Sequence, residues 1–172
     1  MKIVVCIKQV PSTTKVSIDP QTHNLKRSNL PGRMNPVDKV AVEVALQLRE
    51  KHGGSITVIS MGPNENKKSI REALAMGADS GILLSSRAFA GSDTLATGYV
   101  LAKAIEKLGQ VELVLFGKQS VDADTGQVGP ITAELLDYPQ MKSHSFLYQL
   151  KNRKFHQYLF LQECSKSRLN QH

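Results

Sequence analysis

Four short apolar runs dominate the first 120 residues, and three of them are apolar at nearly every position. They lie at residues 3–7, 55–60, 81–84 and 112–116. A strand with one face in water alternates between apolar and polar residues, whereas a strand of a parallel sheet that is covered on both faces does not. The runs therefore predict the buried strands of one parallel sheet.

Segments with helical periodicity lie between and after these runs, and their ends carry suitable residues. The first has Asn35 as a predicted N-cap, Pro36 in its first turn and Gly53 at its end; later helices are predicted to open at Asn64 and Asp93. The alternation of strand and helix through residue 140 predicts an α/β fold. We expect a Rossmann-like, doubly wound, mostly parallel sheet with helices on both faces.

The composition of the chain changes at residue 140. Residues 1–140 hold 16 Lys and Arg against 14 Asp and Glu, so most of the formal charge of +7 belongs to residues 141–172, which hold 6 against 1. We predict one α/β domain over residues 1–140 and a divergent basic tail over residues 141–172. The alternating segments SFLYQL and KFHQYLFLQ predict a β-hairpin in the tail, and VSIDPQTHNLKRS predicts a second short hairpin.

Several classes of protein are excluded by what the sequence lacks. No apolar run reaches the roughly 18 to 20 residues of a membrane span, and the first run is interrupted at Lys8, unlike a secretory signal. Cys6 and Cys164 form no disulfide or metal-ligand pattern, so we expect a cytoplasmic or matrix-type location and favour the cytoplasm. The scattered histidines and the absence of a nucleophile motif predict no catalytic residues and no metal site.

The segment GKQSVDADTGQVGP, residues 117–130, follows the fourth apolar run and opens a helix. Ligands of open α/β sheets bind outside the carboxyl ends of the strands, and backbone N–H groups at a helix start attract anions. Gly126 and Gly129 would let the backbone approach a ligand closely, and Thr125 and Thr132 would add hydroxyl donors. The segment therefore predicts an anion-binding loop; an ordinary helix-capping loop is the alternative.

Two aspartates of this loop are unsuited to contact an anion directly. Asp122 and Asp124 would repel a phosphate that they faced. We expect them beside the phosphate, as acceptors for ribose hydroxyls or for backbone amides.

Six segments in a fixed order carry a resemblance to a known family. They are MKIVVCIKQVP, MNPVDKVAVEVALQLRE, VISMGP, REALAMGAD, RAFAGSDTLAT and GKQSVDADTGQVGP. Over residues 1–140 the chain resembles the β subunit of electron transfer flavoproteins. The resemblance implies an adenine nucleotide α-hydrolase-like fold and a heterodimer with an α subunit. It also implies a carrier without catalytic residues of its own, which takes electrons from flavin-dependent acyl-CoA-type dehydrogenases.

The resemblance also implies a nucleotide site. The positions that match it are Cys6, Asn35, Pro36, Val37, Asp38, Met61, Asp122, Ala123, Asp124, Thr125, Gly126, Gln127, Val128, Gly129, Pro130, Ile131, Thr132 and Ala133. Common members hold AMP there, whereas electron-bifurcating members hold a second FAD. RAFAGSDT and DTGQVGP look more like the bifurcating branch, so we favour FAD over AMP.

The resemblance ends at Gln140, and two other functions stay open. A truncated, frame-shifted or naturally divergent end would each produce the basic tail. A stand-alone adenine-nucleotide-binding regulatory protein of the universal-stress type would use the same fold without flavin. An RNA-binding tail is the third reading, although basic runs are more often solvated faces, so no nucleic-acid partner is expected.

Overall fold

The computed structural model describes residues 1–12, 32–142 and 146–150, and for residues 142 and 146–150 it describes the backbone alone. The elements are, in chain order, β1 (Lys2–Cys6), β2 (Gln9–Pro11), β3 (Gly32–Met34), α1 (Pro36–His52), β4 (Ser55–Met61), α2 (Lys67–Met76), β5 (Ser80–Leu84), α3 (Thr94–Lys107), β6 (Leu113–Gly117), α4 (Val128–Leu136), β7 (Gln140–Lys142) and β8 (Phe146–Leu150). Short 3₁₀ turns at Asn64–Asn66 and Arg87–Phe89 precede α2 and α3.

Six strands form the main sheet in the order β5-β4-β1-β6-β8-β7. Strand β1 lies inside it and pairs in parallel with β4 on one side and β6 on the other, with Ile3 opposite Ile56 and Leu113. β5 extends the parallel part beyond β4, and β8 and β7 add an antiparallel edge beyond β6. The four predicted strands and the mostly parallel sheet are thus confirmed.

Helices cover both faces of the sheet, as the uninterrupted apolar strands require. Ile3 and Val5 of β1 point to a core that also contains Ala41 and Ala45 of α1. Val4 and Cys6 point to the opposite core, which contains residues of α3. The side chains of β1 therefore alternate between two apolar layers, and none of them faces water, because all four are at most 5% exposed.

Helices α3 and α4 pack tightly against each other at a glycine. Gly98 of α3 lies against α4, and an added Cβ there would be 2.5 Å from Cγ2 of Ile131. Asp93 caps α3 as predicted, because its carboxylate accepts a hydrogen bond of 2.8 Å from the Ala96 N–H. The two helices therefore meet near their N-terminal ends, at the carboxyl edge of the sheet.

The antiparallel edge contains part of the predicted tail. Of the segment SFLYQL, the residues FLYQL form β8, which pairs with β7 and also with β6, so the sheet continues past residue 140. The segments KFHQYLFLQ and VSIDPQTHNLKRS lie wholly outside the described residues, and the division at residue 140 stays a prediction. Among the described helices, none has the length and apolarity to cross a membrane.

Candidate functional site

A crevice at the carboxyl edge of the sheet follows from the strand order. After β1 the chain builds β4 and β5 on one side, and then returns to place β6 on the other side of β1. Such a reversal leaves the loops after the two neighbouring strands pointing apart, and ligands of α/β sheets bind there. The loop after β1 and the loop at residues 118–127 border this crevice.

Asn35 ties the second of these loops to the start of α1. Its side-chain N–H₂ donates to the Gln119 carbonyl at 2.9 Å, and its side-chain oxygen accepts from the Val121 N–H at 3.4 Å. The backbone N–H of Asn35 donates to the Lys8 carbonyl at 2.9 Å, which adds the loop after β1. Asn35 is 1% exposed. Asn35 stands at the N-cap position as predicted, but no helix N–H reaches its side chain, which instead joins the loop at residues 118–127 to Asp38.

Asp38 lies beneath the crevice, where three segments converge. Its carboxylate accepts hydrogen bonds from the Lys8 N–H at 2.7 Å, from the Asn35 side chain at 3.0 Å and from the Gly117 N–H. Burial raises the pKa of Asp38 to about 7, although these donors and the charge of Lys8 act in the opposite direction. Asp38 therefore titrates near neutral pH while it holds the ends of β1 and β6 against α1.

The raised pKa of Asp38 predicts a pH dependence of stability. In the unfolded chain this carboxyl has its ordinary pKa of 3.8, against about 7 in the folded chain. Its stabilising contribution is thus complete below pH 4 and is lost as the pH rises through 7, by up to about 4 kcal/mol at 1.4 kcal/mol for each pKa unit. Urea midpoints of the wild type should fall between pH 5 and pH 8. The urea midpoint of Asp38→Asn should fall less over the same range. Equal changes of the midpoint with pH in the two proteins would contradict the raised pKa of Asp38.

Cys6 is not positioned for thiol chemistry. Burial raises the pKa of its thiol far above the ordinary value, and the negative charge of Asp38 raises it further. It is 5% exposed and packs in the core that contains α3. A neutral, buried thiol is a poor nucleophile, so Cys6 acts as a small apolar residue of this core.

Lys8 and Asp122 form an ion pair across the crevice. The Lys8 ammonium lies 2.7 Å from Oδ1 of Asp122 and 3.3 Å from the Ser120 hydroxyl oxygen. Partial burial raises the pKa of Asp122, but hydrogen bonds from Lys8 and Ser120 outweigh it, so that the net pKa is below the ordinary value. Lys8 was not among the predicted site residues; the interruption of the first apolar run by a cation is the sequence feature that could have indicated it.

The second half of the loop has fewer contacts with its surroundings. Residues 121–125 are exposed, and Asp124 and Gly126 have left-handed backbones with φ of 56° and 59°. The Asp124 N–H donates to the Ser120 carbonyl at 2.8 Å. Gln127 then accepts a hydrogen bond of 3.0 Å from the Thr94 hydroxyl at the start of α3. The exposed part of the loop therefore lies between two fixed ends.

The start of α4 offers fewer donors than the sequence predicted. Pro130 has no N–H, and the Ile131 N–H donates to the Gln127 carbonyl at 3.0 Å. Thr132 is fully buried, and its hydroxyl donates to the Val128 carbonyl at 2.8 Å. This hydroxyl is therefore used inside the helix, unlike the expected ligand donor, whereas Thr125 is exposed as a donor must be.

The other predicted positions surround the crevice at different depths. Pro36, Val37 and Met61 are half-buried, Ala133 is buried, and Ala123 is exposed. The loop after β4 is held by Asn66, whose side chain donates to the Ser60 hydroxyl at 3.1 Å and to the Met61 carbonyl at 3.2 Å. Across residues 1–12 and 32–142, no three His, Cys, Asp or Glu side chains come together as a metal site would require.

Comparisons with known proteins agree on one family. The electron transfer flavoprotein domain matches residues 22–143. The chain is 56% identical over 141 residues to the electron transfer flavoprotein subunit beta of Thermoanaerobacterium thermosaccharolyticum, with 82% of this chain and 54% of the relative covered. It is 48% identical over 145 residues to the protein FixA of Azorhizobium caulinodans, with 82% and 52% covered. The chain thus spans about half the length of the curated relatives that it matches.

Proposed function

The chain belongs to the electron transfer flavoprotein family, and from this premise we propose that it acts as a β subunit that binds an adenine nucleotide in the crevice between β1 and β6. The observation that carries the proposal is the anchored loop at residues 117–127. Asn35 and Asp38 fix its beginning, and Gln127 fixes its end. A nucleotide site needs such a fixed frame around an exposed, adaptable segment.

FAD is the nucleotide that we favour for this crevice. The segments RAFAGSDT and DTGQVGP, on which the preference rests, meet in the fold through the hydrogen bond from Thr94 to Gln127. The loop after β5 also lies beside the loop after β4, because the Gly62 N–H donates to the Leu84 carbonyl at 3.0 Å. Three loops are therefore available to surround a ligand larger than AMP. AMP is the alternative.

The proposed role is electron transfer with an α subunit as partner. Electrons would come from flavin-dependent acyl-CoA-type dehydrogenases, and an FAD in this site would make electron bifurcation the proposed mode. A bound flavin carries the redox chemistry, and the protein supplies binding, orientation and electrostatics. The residues at the crevice can supply orientation and electrostatics: Asp38 and Asn35 position loops, and Lys8 supplies positive charge. The cytoplasm is the proposed location.

The nucleotide released from the purified chain tests this function. We expect denaturation of residues 1–172, expressed alone and with an α subunit, to release FAD at about one molecule per chain, identified by absorbance and mass. Gly53→Ala is the control for effects of expression and purification. Gly53 lies at the C-terminal end of α1, away from the site, so this substitution should leave the nucleotide content unchanged. Release of AMP would identify AMP, and not FAD, as the nucleotide of this site. Absence of any nucleotide in both preparations would contradict it.

A further inference from the structure

The Lys8–Asp122 pair joins the two loops that border the crevice. Lys8 follows β1, and Asp122 lies five residues after the end of β6. Their side chains are 45% and 31% exposed, so that both remain accessible from the crevice mouth. Exposed ion pairs contribute little to stability, and a small molecule with more negative charge than one carboxylate competes for the cation.

The backbone of Lys8 is fixed more firmly than its side chain. Its N–H donates to buried Asp38 at 2.7 Å, and its carbonyl accepts from the Asn35 N–H at 2.9 Å. The ammonium therefore extends from a rigid base and can exchange one anionic partner for another by side-chain rotation alone. Asp122, by contrast, lies in the exposed part of the loop.

We propose that Lys8 recognises a phosphate of the bound nucleotide, and that the Asp122 carboxylate holds the Lys8 ammonium until this phosphate displaces it. The inference rests on the nucleotide site of the proposed function. Asp122 is then a competitor for the cation, in contrast to the ribose acceptor that the sequence led us to expect. The low pKa of Asp122 supports this role, because the carboxylate stays ionised at neutral pH.

The test compares the affinities of AMP and adenosine for nucleotide-free chain by calorimetry. Lys8→Met should weaken AMP binding by about tenfold and leave adenosine within about twofold, because a charge-assisted hydrogen bond to phosphate is lost. Asp122→Asn should tighten AMP binding by about threefold, with adenosine again unchanged, because a competing charge of the size typical of exposed pairs is removed.

A matched pair of control variants comes from α3. Lys103 and Glu106 form an exposed ion pair with the same separation of 2.7 Å. Lys103→Met and Glu106→Gln make the same changes in net charge, and neither should alter the ratio of the AMP and adenosine affinities. If the control variants changed this affinity ratio as much as Lys8→Met and Asp122→Asn do, net charge alone would explain the effect. That result would overturn the assignment of Lys8 to the phosphate.

The remaining outcomes separate this inference from the proposed function. Weaker binding of both ligands by Asp122→Asn would make Asp122 a ribose acceptor and overturn the exchange. An unchanged AMP preference in Lys8→Met would overturn phosphate recognition while the nucleotide site stands. Failure of the wild-type chain to bind AMP, adenosine or FAD would overturn both proposals.

Discussion

Replacing Asn35 with aspartate is expected to destabilise the chain by about 3 to 5 kcal/mol at pH 8 and to abolish nucleotide binding, since a buried charge without a partner carries a cost of this size. The substitution keeps the shape of the side chain but removes the N–H₂ that donates to Gln119 and Asp38. It also places a second carboxylate beside that of Asp38. The loop at residues 118–127 should then separate from the start of α1.

The dependence of this effect on pH identifies its cause. At pH 5 protonation of the two neighbouring acids relieves their repulsion, so the loss of stability in urea unfolding should be clearly smaller than at pH 8. Asn64→Asp is the control, because Asn64 is exposed at the start of a 3₁₀ turn and should change stability by about 0.5 kcal/mol or less. Equal losses for the two variants would refute the anchoring role of Asn35.

Gly117→Ala is expected to cost about 3 kcal/mol, which is the upper range for overpacking a tight site. A Cβ on Gly117 would overlap Oδ1 of Asp38, and it would lie 2.9 Å from the Asp38 nitrogen and 3.0 Å from the Val37 carbonyl carbon. The two backbone atoms leave no flexible group to move aside, so β6 or α1 must shift. Nucleotide binding should weaken with stability, because the loop begins at this residue.

Gly53→Ala supplies the comparison for this prediction in denaturant unfolding. Gly53 has open space around it but φ of 69° and ψ of 175°, a conformation essentially limited to glycine, so its substitution measures backbone strain alone, of about 1 to 3 kcal/mol. Only Gly117→Ala should also weaken nucleotide binding. In an Asp38→Ser background the same substitution should cost less, because the overlapping oxygen is absent; an equal cost in both backgrounds would place the clash elsewhere.

The fold was largely predictable because its strands are buried on both faces. Apolar runs without alternation, separated by capped helices, have few solutions other than a parallel sheet with two helical layers. The start of α3 was predictable for a local reason, since Asp93 has the side chain and spacing of an N-cap. The position of β8 beside β6 was not predictable, because the antiparallel addition of a strand to a sheet edge depends on contacts between residues far apart in sequence.

The candidate site was predictable as a region, but the duties of single residues were not. Asn35 has the sequence position of a cap, yet the loop at Gln119 offers its side chain better partners. Thr132 has the chemistry of a ligand donor, yet the helix turns it inward to the Val128 carbonyl. Lys8 was not predicted as a site residue because its ion-pair partner, Asp122, lies 114 residues later in the sequence. Residue type restricts chemistry, whereas tertiary structure selects the partner.

The central place of β1 has a consequence for how the chain acquires its structure. β1 leaves the ribosome before both of its partners, so Ile3 can pair with Ile56 and with Leu113 only after β4 and β6 have been synthesised. Pairings so distant along the chain slow folding, because a long loop must close before the contacts that stabilise it exist. β1 is thus paired on both sides only after β6 has emerged, and until then the nascent chain carries an apolar strand edge.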